Sequence, residues 1–231
     1  MVTEQNENLK CDYRDRKSSL KGEVERQLIH LFTGITLILL IRAAGDRALI
    51  VLLLLLVFYV TISILILANK FPISLSTFLC RWGRLSKQNT PFKGTILLLC
   101  GITISFILFP EEIAYASIAI VAFGDSIATA VGILIGRHKL PYSEQKTVEG
   151  IVSGTIAAFL ASSFFVTPVQ ALVGSAGGML LESVINQQTS RVFNSQINSQ
   201  INSQMVFKFF LNDNFLIPLF SGLLMFIIGL I

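Results

Sequence analysis

The sequence predicts an all-α, polytopic membrane protein with about seven transmembrane helices. Three observations carry that expectation. The chain is 53% hydrophobic and 14% charged, with a mean hydropathy of +0.70, whereas soluble domains run at about 25% charged residues. Its apolar residues form long blocks, and a helical span takes about 20 of them. Its 18 Lys and Arg residues crowd into alternate connecting segments, as expected of a multi-pass chain with its basic loops on one side. Residues 28–231 therefore read as one transmembrane domain. The basic stretch over 1–27 reads as a tail leading into the first helix, too short for a second domain.

Composition also narrows the function classes. The first apolar stretch follows a long charged tail with no A-x-A-like cleavage site, which argues against a cleaved signal peptide. Cys11, Cys80 and Cys100 lie far apart and give neither a disulfide framework nor a zinc spacing. Two histidines cannot build a multi-histidine metal site. A pI near 9.1 would fit a nucleic-acid partner, but orientation against a bilayer explains the positive charge better. No nucleic acid is expected.

Taken in order, the spans fall near 28–44, 48–68, 94–109, 113–136, 151–166, 169–185 and 215–231. Several are short for a bilayer and would tilt or insert partially. The tail carries six Lys and Arg and the next segment two. The later segments carry five, none, three, none and two, so 16 of the 18 fall on one side. The positive-inside rule makes that side cytoplasmic and places the N-terminus there. Glu23, Arg26 and His30 share one helical face where the first span begins. Arg26 there can hold a phosphate or anchor the helix at the membrane surface, and His30 reads most simply as a polar interfacial residue. The stretch 71–82 reads as an interfacial helix or a plain loop.

The fourth span holds Asp125 inside an apolar run. An ionisable group at bilayer depth costs roughly 2.5–3.5 kcal/mol on insertion scales, so it points to function. Gly124, Ala128, Gly132 and Gly136 recur every four residues beside it and form a stripe for close helix packing. The same stripe could serve a homodimer. A basic loop follows with Arg137, Lys139 and Lys146, and it ends at Thr147, Glu149 and Gly150, where the fifth span begins. Unpaired N–H groups at a helix N-terminus favour phosphate. No Walker loop occurs anywhere in the chain, so any nucleotide site is of another design. Glu182 lies near the cytoplasmic end of the sixth span. Residues 186–208 read as a polar low-complexity loop, with the tandem NSQI repeat inside it. Asp213 and Asn214 open the last span. Magnesium takes hard oxygen ligands and often only one or two carboxylates with phosphate oxygens, so Asp125, Glu182 and Asp213 are the candidate metal ligands.

FGDSIATAVGILIGRHKLP followed by KTVEG resembles the core signature of the CTP-dependent lipid kinases: dolichol kinase, phytol kinase and the CTP-dependent diacylglycerol kinase. The matching positions are Gly124-Asp125, Gly132, Gly136, Arg137 to Lys139, and Lys146 to Gly150. The family's E-x-x-R-K-x-x-H corresponds to Glu23, Arg26 and His30, with Gln27 in place of the lysine. A late acid and a D-N-x-x-x-P element correspond to Glu182 and to Asp213-Asn214 with Pro218. CDP-diacylglycerol synthases share the middle motif, but their His-Gly-Gly signature is missing here. The resemblance implies phosphoryl transfer from CTP, with magnesium, to a membrane lipid alcohol, dolichol or another polyprenol foremost, on the cytoplasmic side. It implies catalytic roles for Asp125, Lys146, Glu182 and Asp213. Nucleotide contacts are implied for Gly136, Arg137, Lys139, Lys146, Thr147, Glu149 and Gly150. The alternatives are a CDP-lipid synthase and a non-enzymatic lipid carrier.

Overall fold

The computed structural model describes residues 20–68, 92–141, 143–195 and 212–231, with the side chains of Glu23 and Arg26 left outside. The basic tail before residue 20, the stretch 71–82 and the repeat beyond residue 195 also lie outside the described residues. The described chain is mainly helical. Helix α1 (Leu20–Ala44) and α2 (Ala48–Leu67) are separated by a 3-10 turn, Gly45–Arg47. Gly45 breaks the helix there with φ of +52°, a backbone conformation that only glycine adopts freely. Helix α3 (Lys93–Leu108) follows, and then one continuous helical span, Glu111–Leu134. That span is α-helical over Glu111–Ala119 (α4), π-helical over Ile120–Asp125, and α-helical again over Ser126–Leu134 (α5). Helices α6 (Val148–Ser162), α7 (Pro168–Ser195) and α8 (Asp213–Gly229) complete the bundle.

A helix covers most of each of the seven expected stretches. Among the described residues, three segments are long and apolar enough to cross a membrane: Gln27–Ile66, Glu111–Leu134 and Pro168–Ile185. The helices at Lys93–Leu108, Val148–Ser162 and Asp213–Gly229 are apolar but shorter. Two local expectations need correction. The basic loop after α5 is not featureless: Lys139–Leu140 (β1) and Ser143–Thr147 (β2) pair antiparallel. Residues 186–195, expected as the start of a polar loop, continue helix α7, which runs on to Ser195.

The Glu111–Leu134 span is the centre of the packing. On one side, Tyr115 and Ile118 join Leu37 and Ile41 of α1, Leu52 of α2 and Ile102 of α3. On the other, Ile120 and Val121 join Ala158 of α6 and Ile217 and Met225 of α8. The outer faces remain apolar and open: Phe32 is 65% and Leu54 64% exposed. Large apolar side chains facing outward on most helices match a surface solvated by lipid. Several interior hydroxyls bond back within their own helices, as Ser117 does to the Ile113 carbonyl (2.8 Å) and Ser221 to that of Ile217 (2.7 Å).

Candidate active site

Small residues set the site's geometry. The stripe on the Glu111–Leu134 span packs within the chain, against a matching stripe on α6. A Cβ added to Gly154 would meet Ala128 Cβ at 2.6 Å and the Gly124 carbonyl oxygen at 2.7 Å. One on Gly150 would lie 2.6 Å from the Ala128 carbonyl oxygen. With no bulk between them, the two backbones approach closely. The end of β2 is thereby pressed against the helix that carries Asp125.

Lys146 is the penultimate residue of β2, and its side chain is 14% exposed. Its ammonium pairs with Glu182 of α7 and lies 3.9 Å from Asp125 Oδ1. Glu182 is buried, and its second oxygen, Oε2, has no hydrogen-bond partner among the described residues. Asp125 closes the π-helical segment, and Thr129 Oγ1 stands 3.4 Å from Asp125 Oδ1. Burial pulls the lysine pKa down, but the carboxylates of Glu182 and Asp125 more than offset it, so Lys146 is held above its ordinary range. Asp213, at the start of α8, lies close enough to act on Lys146 electrostatically. Three elements thus bring together three of the four expected catalytic groups, with the fourth nearby.

The head of α6 differs from expectation. Its N–H groups are the expected phosphate cradle, but two are already engaged. Val148 N donates to the His138 carbonyl (2.9 Å), and Gly150 N donates to Thr147 Oγ1 (3.2 Å). Thr147 is therefore the N-cap of α6, buried, with its hydroxyl committed. Glu149 accepts from His138 N (3.1 Å) and lies 2.6 Å from His138 Nδ1, tying the strand pair to the helix. Sequence reasoning missed His138, and a lone histidine in a basic loop gives no signal of such a clasp. Lys139, at the start of β1, and Arg137, two residues before it, are both exposed. Gly136 packs against Thr147, where a Cβ would stand 2.5 Å from Oγ1.

Asp125, Glu182 and Asp213 are the expected magnesium ligands. Among the described residues, no group of three Asp, Glu, His or Cys side chains is placed to hold a metal. The Lys146 ammonium stands against both Asp125 and Glu182. Two carboxylates, one with an unpartnered buried oxygen, still suit an ion that needs only one or two from the protein. Asn214 turns elsewhere, with Nδ2 3.4 Å from the Gly94 carbonyl oxygen, joining α8 to the start of α3. His30 lies against the central span, with Nδ1 buried and without a hydrogen-bond partner among the described residues.

The chain is similar to CTP-dependent diacylglycerol kinase 1 of Eremothecium gossypii, 28% identical over 218 residues that cover 89% of this chain and 67% of that protein. It is 29% identical to an uncharacterised protein of Methanocaldococcus jannaschii over 66% of this chain and 75% of that one. It is 30% identical to the chloroplastic farnesol kinase of Arabidopsis thaliana over 107 residues, 45% of this chain and 35% of that protein. No protein-family model and no solved structure matches the chain. The kinase relatives support the CTP-dependent lipid kinase family.

Proposed function

We propose that this chain is a membrane phosphotransferase that moves the γ-phosphoryl group of CTP onto a lipid alcohol. The observation that carries the reading is the half-buried Lys146 ammonium, held between Asp125 and Glu182, with Lys139 exposed on the paired strand. Phosphoryl transfer asks a protein mainly for positioning and charge neutralisation. A half-buried lysine kept charged by two carboxylates supplies a cation that could neutralise phosphate oxygens brought beside it. Arg137 and Lys139 supply the first attraction for a triphosphate. Because Thr147 and His138 already engage donors at the head of α6, the side chains of the strand pair carry more of that contact than the helix N-terminus.

Magnesium arriving with the nucleotide would be held by Asp125 and Glu182, with Asp213 close by, and would neutralise charge on the phosphate oxygens. The apolar outer faces admit a long-chain substrate from the bilayer. The relatives' names point to diacylglycerol and farnesol, and dolichol and phytol share the same chemistry of a hydroxyl on a long apolar chain. The test uses purified protein in detergent with magnesium, those four alcohols and phosphatidate, and CTP labelled on the α or the γ phosphate. The expected result is γ label in one lipid product. An α label in the lipid would make the chain a CDP-lipid synthase, and no CTP binding at all would make it a carrier.

A further inference from the structure

The site described so far accounts for the nucleotide end of the reaction and leaves open where the lipid hydroxyl rests. One cavity lies elsewhere in the bundle. It measures about 20 Å³ and sits between α1, α3 and the central span, walled by His30, Thr33, Gly34, Leu98, Val121 and Ala122. Its lining is apolar apart from His30 and Thr33. The Thr33 hydroxyl is already spent on the Ile29 carbonyl (2.8 Å). His30 Nδ1 is different: it is buried and has no hydrogen-bond partner among the described residues. A buried polar atom without a partner costs about 1–3 kcal/mol, so its presence in an apolar wall calls for an explanation.

The cavity adjoins the reaction site through one element. Val121 and Ala122 belong to the same π-helical segment as Asp125, four and three residues before it. α1 is held tightly to this segment, because a Cβ on Gly34 would overlap the Ala122 side chain. A void of this size holds a single water-sized group. An apolar wall with one hydrogen-bond acceptor suits the end of an alcohol: a hydroxyl to bond, and carbon for the rest.

We infer that this crevice receives the hydroxyl-bearing end of the lipid alcohol, and that the hydroxyl donates a hydrogen bond to His30 Nδ1. In the Nε2–H tautomer Nδ1 is an acceptor, and the bond holds the hydroxyl against the helical segment that carries Asp125. The inference rests on the lipid-kinase reading and adds a specificity-determining residue to it.

The test compares wild-type protein with His30→Leu and His30→Asn in mixed micelles, measuring KM for the accepting alcohol and for CTP separately. Asparagine places a polar atom close to the position of Nδ1. The expected result is that His30→Leu raises KM for the alcohol about five- to tenfold, the worth of one hydrogen bond, and leaves KM for CTP unchanged. His30→Asn should restore most of the loss. An alcohol carrying a photoreactive group next to its hydroxyl should crosslink wild-type protein within 30–34 or 118–122. Equal changes in both KM values, no change in either, or crosslinks confined to other helices overturn the inference while the kinase reading stands. Failure of the wild-type protein to transfer γ label to any alcohol overturns the reading itself, and this subsite with it.

Discussion

At the scale of single residues, the decisive feature is a cation held inside a ring of acids. Lys146 stays charged because Glu182 and Asp125 face it. Its raised pKa means that the ion pair is fully formed below the ordinary lysine value and is lost only as pH climbs past the raised one. Asp125→Asn and Lys146→Ala should each lower turnover on the order of 100-fold or more while the protein still inserts and purifies. Near-normal rates in either purified variant would remove these residues from the mechanism. Glu149 tells a second residue-scale story. Hydrogen bonds from its own backbone N–H and from His138 bring its carboxyl down to about 2, and it sits ahead of the expected 151–166 span. A lowered carboxyl contributes stability above its ordinary pKa and loses it as pH falls through the folded value. The Glu149–His138 clasp should therefore survive mild acid. Limited proteolysis of the strand pair should be unchanged from pH 7 to pH 5, and Glu149→Gln should speed it at both. Faster cleavage of the wild-type protein at pH 5 would contradict that sign.

At the scale of elements, two devices place these groups: close packing of small residues and a π-helical segment. The small-residue contact leaves no room for a methyl group. Gly150→Ala and Gly154→Ala force backbone atoms apart, and overpacking of this kind costs about 1–3 kcal/mol. Both should lower the thermal midpoint and the activity together, whereas Lys139→Ala should lower the affinity for CTP and leave the midpoint alone. A π turn inserts one residue into an α-helix and often marks a functional site. Here it ends at Asp125. Deleting Ala122 should let the segment relax to α-helix and rotate Asp125 away from Lys146. Circular dichroism should stay unchanged while turnover disappears. A deletion variant with wild-type turnover would show that the π turn does not position the acid.

At the scale of the whole molecule, the membrane character was plain in the sequence, because long apolar blocks have few other fates. Asp125, Lys146 and Glu182 stood out as charges at the edge of or inside such blocks. Their meeting was not legible, because it depends on how closely two glycine-bearing helices approach. The strand pair was hidden as well. It is held by backbone pairing and by the His138–Glu149 clasp, and neither leaves a periodicity in residues 137–147. The span count is the question that composition and coordinates answer differently. Length alone treats Gln27–Ile66 as one apolar run, while charge alternation requires a break between the first and second spans. Gly45, with its positive φ, supplies that break between Arg42 and Arg47. If the break faces water, Asp46 is at an outer surface and His138 is on the opposite, cytoplasmic one. In a background with Cys11, Cys80 and Cys100 replaced by serine, Asp46→Cys should react with an impermeant thiol reagent added to intact cells. His138→Cys should react only after the membrane is opened. Silence of Asp46→Cys from both sides would bury the turn in the bilayer and remove the seven-span arrangement. Reaction of His138→Cys in intact cells would put the lysine site on the outer face, away from cytoplasmic CTP, and the proposed phosphoryl donor would fall with it.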